Sequence, residues 1–419
     1  MFKANLLLNI LSTILVRGGV LLVTIIFTNS LGEEVYGYLA YLRSILQIVE
    51  AGLGISIGIA IGRVVTSSDN AAERSRKLMS NFIFFIILLL FGGAGFYFSL
   101  IVSDNLLVFN AKYIMLFTLF LFFIVPLVQL FTYAFKSKGL FKVLFLISAI
   151  NISISLPSVY FLTEKYQVLG AVLGLLLMAL FNLVLMVGYV LKNYKSKVLE
   201  FLNRLGAKSE KLAFIELKNN SLPLVVSALV SPACIFIINT IILSDSGVVE
   251  LSYFNVAFLI YSLFMFLPMT LSEVVFSQFK RSSLLCGSNK RLVVFSSCGL
   301  LLCSILFNLT VFFFGKYISI IFFKQPVIIF HDYLTLFALT SLFSASLPIL
   351  GKFFIALEKN WLNLWLNFFW LITIFFSYYL LNHVGAMGFS QAYLYSYIVL
   401  FCLQWFVFVF VLFGRREYG

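Results

Sequence analysis

The chain has 419 residues, 62% of them apolar and only 11% charged, with a mean hydropathy of +1.08. That balance excludes a soluble globular domain and reads as an integral membrane protein. The net charge of +13 comes from basic residues gathered between apolar runs, so it does not support a nucleic-acid partner.

A helix needs about 20 mostly apolar residues to cross a hydrocarbon core of about 30 Å. That window predicts twelve spans, at 6–29, 37–61, 78–102, 113–135, 143–163, 168–191, 219–243, 253–279, 292–314, 331–357, 361–381 and 388–413. The runs are long and continuous, unlike the short alternating segments of a membrane barrel, so the expectation is an all-α integral membrane protein. The first run carries Arg17 and shows no small-residue cleavage site, which predicts a span rather than a removable leader.

Of the 29 Lys and Arg residues, 22 fall in the N-terminus, in 62–77, 136–142, 192–218, 280–291 and 358–360, and after residue 413. The opposite connections hold only Lys112, Lys165, Lys316 and Lys324, together with Glu33, Glu34, Asp104, Glu164, Asp245 and Glu250. The basic side of a membrane protein is the cytoplasmic side, so both termini are predicted there. Trp361, Trp365 and Trp370 bracket the eleventh span and are expected to anchor it at the interface.

The longest polar interruption runs from Lys192 to Lys218, with six predicted spans on either side. An even number of spans leaves both halves in the same orientation, which implies two six-helix bundles related by a parallel pseudo-twofold repeat. The expected division is therefore 1–191, a cytoplasmic linker at 192–218, 219–413 and a tail at 414–419. A faint echo supports the repeat: Tyr36 before Leu39, Ala40 and Tyr41 matches the spacing of Tyr253 before Val256, Ala257 and Phe258.

Three basic residues, Arg17, Arg43 and Lys352, fall inside spans. A charge within the bilayer is costly unless it is paired or hydrated, so each marks a candidate site. In LRSILQIVEAGLGISIGIAIGR, residues 42–63, Arg43, Gln47, Glu50 and Gly54 stand at i, i+4, i+7 and i+11 and share one helical face. Arg43 and Glu50 are two turns apart, about 10 Å along the axis. That separation predicts partners on another helix or in water. Asn9, Thr13, Arg17, Thr24 and Thr28 form a second stripe in the first span, and the two stripes are expected to face a common hydrated cavity. Arg presents a fork of donors suited to phosphate oxygens, so the cavity is read as binding an anionic headgroup through Arg17, Arg43, Gln47 and Lys352. Lys352 lies within two turns of the cytoplasmic end, where snorkelling is an equal reading.

Glu50 and Glu273 are the candidate proton-titrating groups, and coupling to H+ or Na+ or to the membrane potential alone stays open. Gly54, Gly58 and Gly62 repeat every fourth residue and allow close helix packing or flexing. His331 and Asp332 are read as capping the tenth span. Kinks are expected at Pro126, Pro157, Pro223, Pro232, Pro268 and Pro348.

Catalysis and cofactors find no foothold. The two His and five Cys show no metal-ligand spacing, the cysteines reading as small buried hydrophobes, and there is no Walker-type phosphate loop. No predicted outer loop is long enough for the catalytic groups of a polysaccharide polymerase.

One family shares these features. Asn5 and Asn9 at the start of the first span, then LGEEVYGYLAYLRSILQIVEAGLG with Gly32, Tyr36, Gly37 and the Gly52-Leu53-Gly54 element, resemble the O-antigen flippases (Wzx type) of the multidrug/oligosaccharidyl-lipid/polysaccharide (MOP) exporter superfamily. The motif match covers about the first 65 residues, and span count and loop sizes agree over the rest. The resemblance implies a bacterial inner-membrane flippase moving an undecaprenyl-pyrophosphate-linked oligosaccharide, the O-antigen repeat unit. It implies membrane lipids, a polymerase and a chain-length regulator as partners, and no nucleic acid. It also implies that Arg17 and Arg43 contact the headgroup. A drug or cation antiporter of the same superfamily, which wants an acidic cavity, and a lipid II flippase, which usually has more spans, are the alternatives.

Overall fold

The computed structural model describes residues 2–55, 82–83, 85–87, 89–90, 111–203, 222–278, 287–357, 360–381 and 385–413. Its elements are α1 (Phe2–Leu31), α2 (Glu33–Val49), a π-helical turn (Glu50–Ile55), α3 (Ala111–Ser137), α4 (Phe141–Asn203), α5 (Leu222–Asp245), α6 (Val248–Gln278), α7 (Gly287–Phe323), α8 (Ile328–Ser344), α9 (Leu347–Ala356), α10 (Asn360–Leu380) and α11 (Gly385–Phe413). Among the described residues nine helices are long and apolar enough to cross a membrane. Large apolar side chains such as Phe295, Phe312 and Phe406, 81%, 73% and 68% exposed, make sense only against lipid.

The 63 residues of α4 do not form one rod. Gln167 takes a positive φ of 50°, and Gly170 lies so close to the Leu162 carbonyl that no Cβ fits between them, while a Cβ on Gly174 would stand 3.0 Å from Val159. In a straight helix residues 162 and 170 would be separated by about 12 Å at 1.5 Å rise. The chain therefore turns back near Gln167, and the two arms match the spans predicted at 143–163 and 168–191. The second arm continues to Asn203, past the predicted start of the linker, because Lys, Leu and Glu in 192–203 favour a helix.

The span predicted at 331–357 stands as one apolar stretch, Ile328–Phe354, bent between α8 and α9 at Ala345–Ser346, beside the kink expected at Pro348. Pro348 has no N–H to give the Ser344 carbonyl, and Ile349 N–H bonds Ser346 O at 3.2 Å instead. One further expectation changes at His331, which does not cap: α8 begins at Ile328 after Val327, and the His331 ring fills the space left by the missing side chain of Gly315. Ser319 closes this turn, donating to Gln325 O at 3.0 Å and accepting from Val327 N–H at 2.8 Å. Pro126, Pro232 and Pro268 lie inside α3, α5 and α6, and Pro157 inside the first arm of α4; Pro223 is also within α5.

Packing divides the chain into two units, Met1–Leu31 with Leu42–Ala233, and Gly32–Tyr41 with Cys234–Gly419. In the first, α3 ends in a glycine turn: Gly139 takes φ +70°, its N–H bonds Lys136 O at 3.0 Å, and Leu140 N–H bonds Phe135 O at 3.0 Å. This turn sends α4 back along α3, where Phe135, Leu144, Ile147 and Met186 are buried together. Helix α1 packs on the first arm of α4 through Ser12 and Ser148, whose hydroxyls are 3.3 Å apart, and through Gly19 against Ile152.

The second unit holds a dense aromatic core in which Phe254, Phe330, Phe337 and Tyr333 are at most 1% exposed. Trp370 belongs to this core and is no interface anchor: it is 4% exposed, with ring centroids 5.8 Å from Tyr393 and 5.5 Å from Tyr397. Trp361 and Trp365 are exposed as expected. Of the cysteines, Cys234 is buried, whereas Cys298 and Cys402 are exposed on apolar helices. The first ten residues from Gly32 pack here too. Gly37 meets the Val248 carbonyl without room for a side chain, Tyr41 and Phe236 rings are 5.6 Å apart, and Tyr253 donates to the Glu33 carboxylate. Both α2 and α6 start beyond a positive-φ glycine, Gly32 at 82° and Gly247 at 84°. Tyr36 lies four residues past the first and Tyr253 six past the second, so the sequence echo is out of step with the helix starts.

Candidate functional site

The residues singled out in the first two predicted spans meet in the first unit. The regular helix stops at Val49, and residues Glu50–Ile55 form a π-helical turn, EAGLGI. Its two glycines lower the preference for a tight α-turn, and such bulges are frequent where helices carry function. The turn delivers two of its residues to α3. A Cβ built on Gly54 would stand 2.6 Å from the Gln129 Cβ and 3.2 Å from the Pro126 Cα and O. Only glycine permits that approach. One turn earlier, Glu50 accepts a hydrogen bond from the Gln129 side-chain amide.

The partner foreseen for Glu50 on another helix is therefore Gln129. The Glu50 carboxylate also interacts electrostatically with Arg43 and with Arg17, and the two guanidinium groups interact with each other. Arg17 is in electrostatic reach of the Tyr133 phenol as well. The Lys136 ammonium sits 5.3 Å from the Tyr133 ring centroid, a cation–π contact. Arg17, Arg43, Gln47, Gln129, Tyr133 and Lys136 are all half-buried.

The α3 contribution went unnoticed in the sequence. Its signal was present: Gln129, Tyr133 and Lys136 stand at i, i+4 and i+7 in an apolar helix, one face of it. The first-span stripe is shorter than its spacing suggested. Thr24 and Thr28 are buried and bond their own helix carbonyls at Val20 and Thr24, each at 3.0 Å, as Thr13 does to Asn9 at 2.9 Å. A hydroxyl bonded back to its own helix has its proton satisfied without an outside partner. Arg17 is the member of that stripe tied to the charged cluster.

Lys352 and Glu273 belong to the second unit. Lys352 is half-buried on the short helix α9, and Glu273 is exposed on α6. Gly58 and Gly62 lie outside the described residues. Among the described residues no group of three or more His, Cys, Asp or Glu is placed to hold a metal.

Two guanidinium groups in electrostatic interaction with one carboxylate leave an excess of positive charge among half-buried side chains. An anion with several negative oxygens complements such a cluster, since each charge-assisted hydrogen bond is stronger there than in water.

No family model matches the chain, and no curated protein matches it by sequence. Solved structures do. An inward-facing multidrug-resistance MATE transporter of the MOP superfamily superposes with a TM-score of 0.75 at 13% identity, over 96% of each chain. The lipid II flippase MurJ in an inward closed conformation gives 0.70 at 17% identity, over 96% of this chain and 87% of its own. A MOP-superfamily transporter from Pyrococcus furiosus, described as having a binding pocket of reversed polarity, gives 0.63 at 11%, over 97% and 94%. The chain is a multi-pass membrane protein, and its fold is that of the MOP-superfamily transporters.

Proposed function

We propose that this protein is a flippase that carries a polyprenyl-pyrophosphate-linked oligosaccharide, an O-antigen-type repeat unit, from the cytoplasmic to the outer leaflet of a bacterial inner membrane. The carrying observation is the cluster of Arg17, Arg43 and Glu50, with its excess of positive charge, inside a transporter fold. A sugar and a pyrophosphate cross hydrocarbon at a cost of several kcal/mol for each polar group left unsatisfied. A basic, hydrated groove removes that barrier while the polyprenyl tail stays in lipid. Moving two negative charges out through an inside-negative potential is favourable by roughly 4–5 kcal/mol per 100 mV, which makes the potential one route to drive transport and proton exchange through Glu50 the other. Both termini are cytoplasmic in this reading.

A cation-exporting drug antiporter fits the cluster poorly, because its cavity would have to attract positive charge. A lipid II flippase fits nearly as well, since its cargo also carries a pyrophosphate, and the likeness to MurJ favours keeping it as the second reading. The test is genetic. Arg17→Ala and Arg43→Ala are expected to abolish surface polysaccharide while protein remains in the membrane at normal amounts. Full-length, full-amount polymer in both strains overturns the assignment. Loss of cell-wall precursor transport in place of polysaccharide selects the lipid II reading.

A further inference from the structure

Glu50 sits oddly in a site meant for anions. It is a carboxylate at the point where the incoming phosphates would bind, and Gln129 holds it. Its hydrogen bond runs to α3, while its charge acts on Arg43 and Arg17 together. Gly54 allows this close approach, since a Cβ on it would stand 2.6 Å from the Gln129 Cβ.

We infer that Glu50 is a resident counter-ion for Arg17 and Arg43 which the cargo's pyrophosphate displaces, and that Gln129 is the positioning residue that keeps the carboxylate from closing fully onto the arginines. The inference rests on the function proposed above and adds what makes release possible. Two guanidinium groups without a counter-ion in a low-dielectric bundle bind a pyrophosphate tightly and let it go slowly. With Glu50 at hand, departure of the pyrophosphate exchanges one anion for another, and no bare pair of cations is left behind. Gln129 sets the strength of that competition: its amide offers the carboxylate a neutral partner to hold while the arginines are engaged elsewhere.

Opposite signs follow for two neighbouring substitutions. Glu50→Gln removes the competitor, so affinity rises and dissociation slows. Gln129→Ala keeps the Cβ against which Gly54 packs but frees Glu50 to compete harder, so affinity falls. In the Glu50→Gln background Gln129→Ala has nothing to act through, and its effect vanishes. A purely structural Gln129 gives additive losses instead.

The experiment measures binding and dissociation of undecaprenyl pyrophosphate on the full chain in detergent, with neutral undecaprenol as the comparison. The expected result is tightening by about tenfold or more for Glu50→Gln, because one repulsion between the carboxylate and the incoming phosphates is removed. In liposomes the same variant lowers KM and kcat together, the mark of a release-limited carrier. Gln129→Ala is expected to weaken binding severalfold, with no effect in the double variant. Unchanged or weaker binding in Glu50→Gln, or a Gln129→Ala effect that persists without Glu50, overturns the inference while leaving the flippase reading intact. Wild-type protein that binds undecaprenyl pyrophosphate no better than undecaprenol overturns both. Should Glu50→Gln not fold, Gln129→Ala decides alone, and tighter or unchanged binding overturns the inference.

Discussion

Gly54 and Gln129 meet across two helices with no room for a side chain on the glycine, a Cβ there standing 2.6 Å from the Gln129 Cβ. The same glutamine donates its amide to Glu50, so one residue of α3 ties the π-helical turn both by packing and by a hydrogen bond. Gly54→Ala must push the turn away from Pro126 and Gln129, whose nearest atoms include backbone. The expected cost is about 1–3 kcal/mol, the range for overpacking, visible as a lower Tm in detergent together with loss of transport. Gly188→Ala, at an α4 position where a Cβ meets nothing within 4 Å, is the control. It should be neutral or stabilising by up to about 1 kcal/mol.

The α4 hairpin makes its own prediction. Gln167 is held in the left-handed region, which costs an L-residue roughly 1–2 kcal/mol. Gln167→Gly should raise Tm, Gln167→Pro should lower it sharply because the ring fixes φ near −65°, and thermal unfolding of both variants checks the turn.

At the start of α2, Glu33 accepts from the Tyr253 hydroxyl and from Gln325 Nε2 at 3.3 Å, joining α2, α6 and the connection before α8. Tyr253→Phe removes one donor and leaves the carboxylate short of a partner. A destabilisation of about 1–3 kcal/mol is expected, and it should shrink in a Glu33→Gln background when the two are measured as a cycle. Equal losses in both backgrounds would show that the phenol acts by packing alone.

How much of this was readable beforehand follows from what a helical period encodes. Length and hydropathy were enough to place the arms of the α4 hairpin, because the short polar run Thr163–Gln167, with Glu164 and Lys165, separates them. The face shared by Arg43, Glu50 and Gly54 was legible because spacing alone fixes it. Its partner was not, since Gln129 is remote in sequence and only the fold brings it to Glu50. The π-helical turn was invisible for a related reason: a change of helical register leaves no mark in polarity. Trp370 was grouped with Trp361 and Trp365 as an anchor, yet it stands midway along the span at 361–381, a depth that suits its packing on Tyr393 and Tyr397. The threonines of α1 misled likewise, since spacing cannot tell a hydroxyl facing water from one bonded to its own helix.

Arg43→Lys separates charge from geometry. If the planar fork matters, lysine preserves part of the headgroup affinity and loses the two-pronged contact. Binding of undecaprenyl pyrophosphate should then lie between that of wild type and Arg43→Ala, whereas an Arg43→Lys variant as weak as Arg43→Ala would make bidentate geometry the whole contribution.

The most direct test of the central claim places the purified protein in liposomes with a fluorescent undecaprenyl-pyrophosphate-linked oligosaccharide and follows its exposure to a membrane-impermeant quencher. The account predicts that wild-type protein brings the inner-leaflet pool within reach of the quencher and that an Arg17→Ala/Arg43→Ala variant leaves it protected. An inner pool that stays protected with wild-type protein, or that the double variant exposes at the wild-type rate, contradicts it.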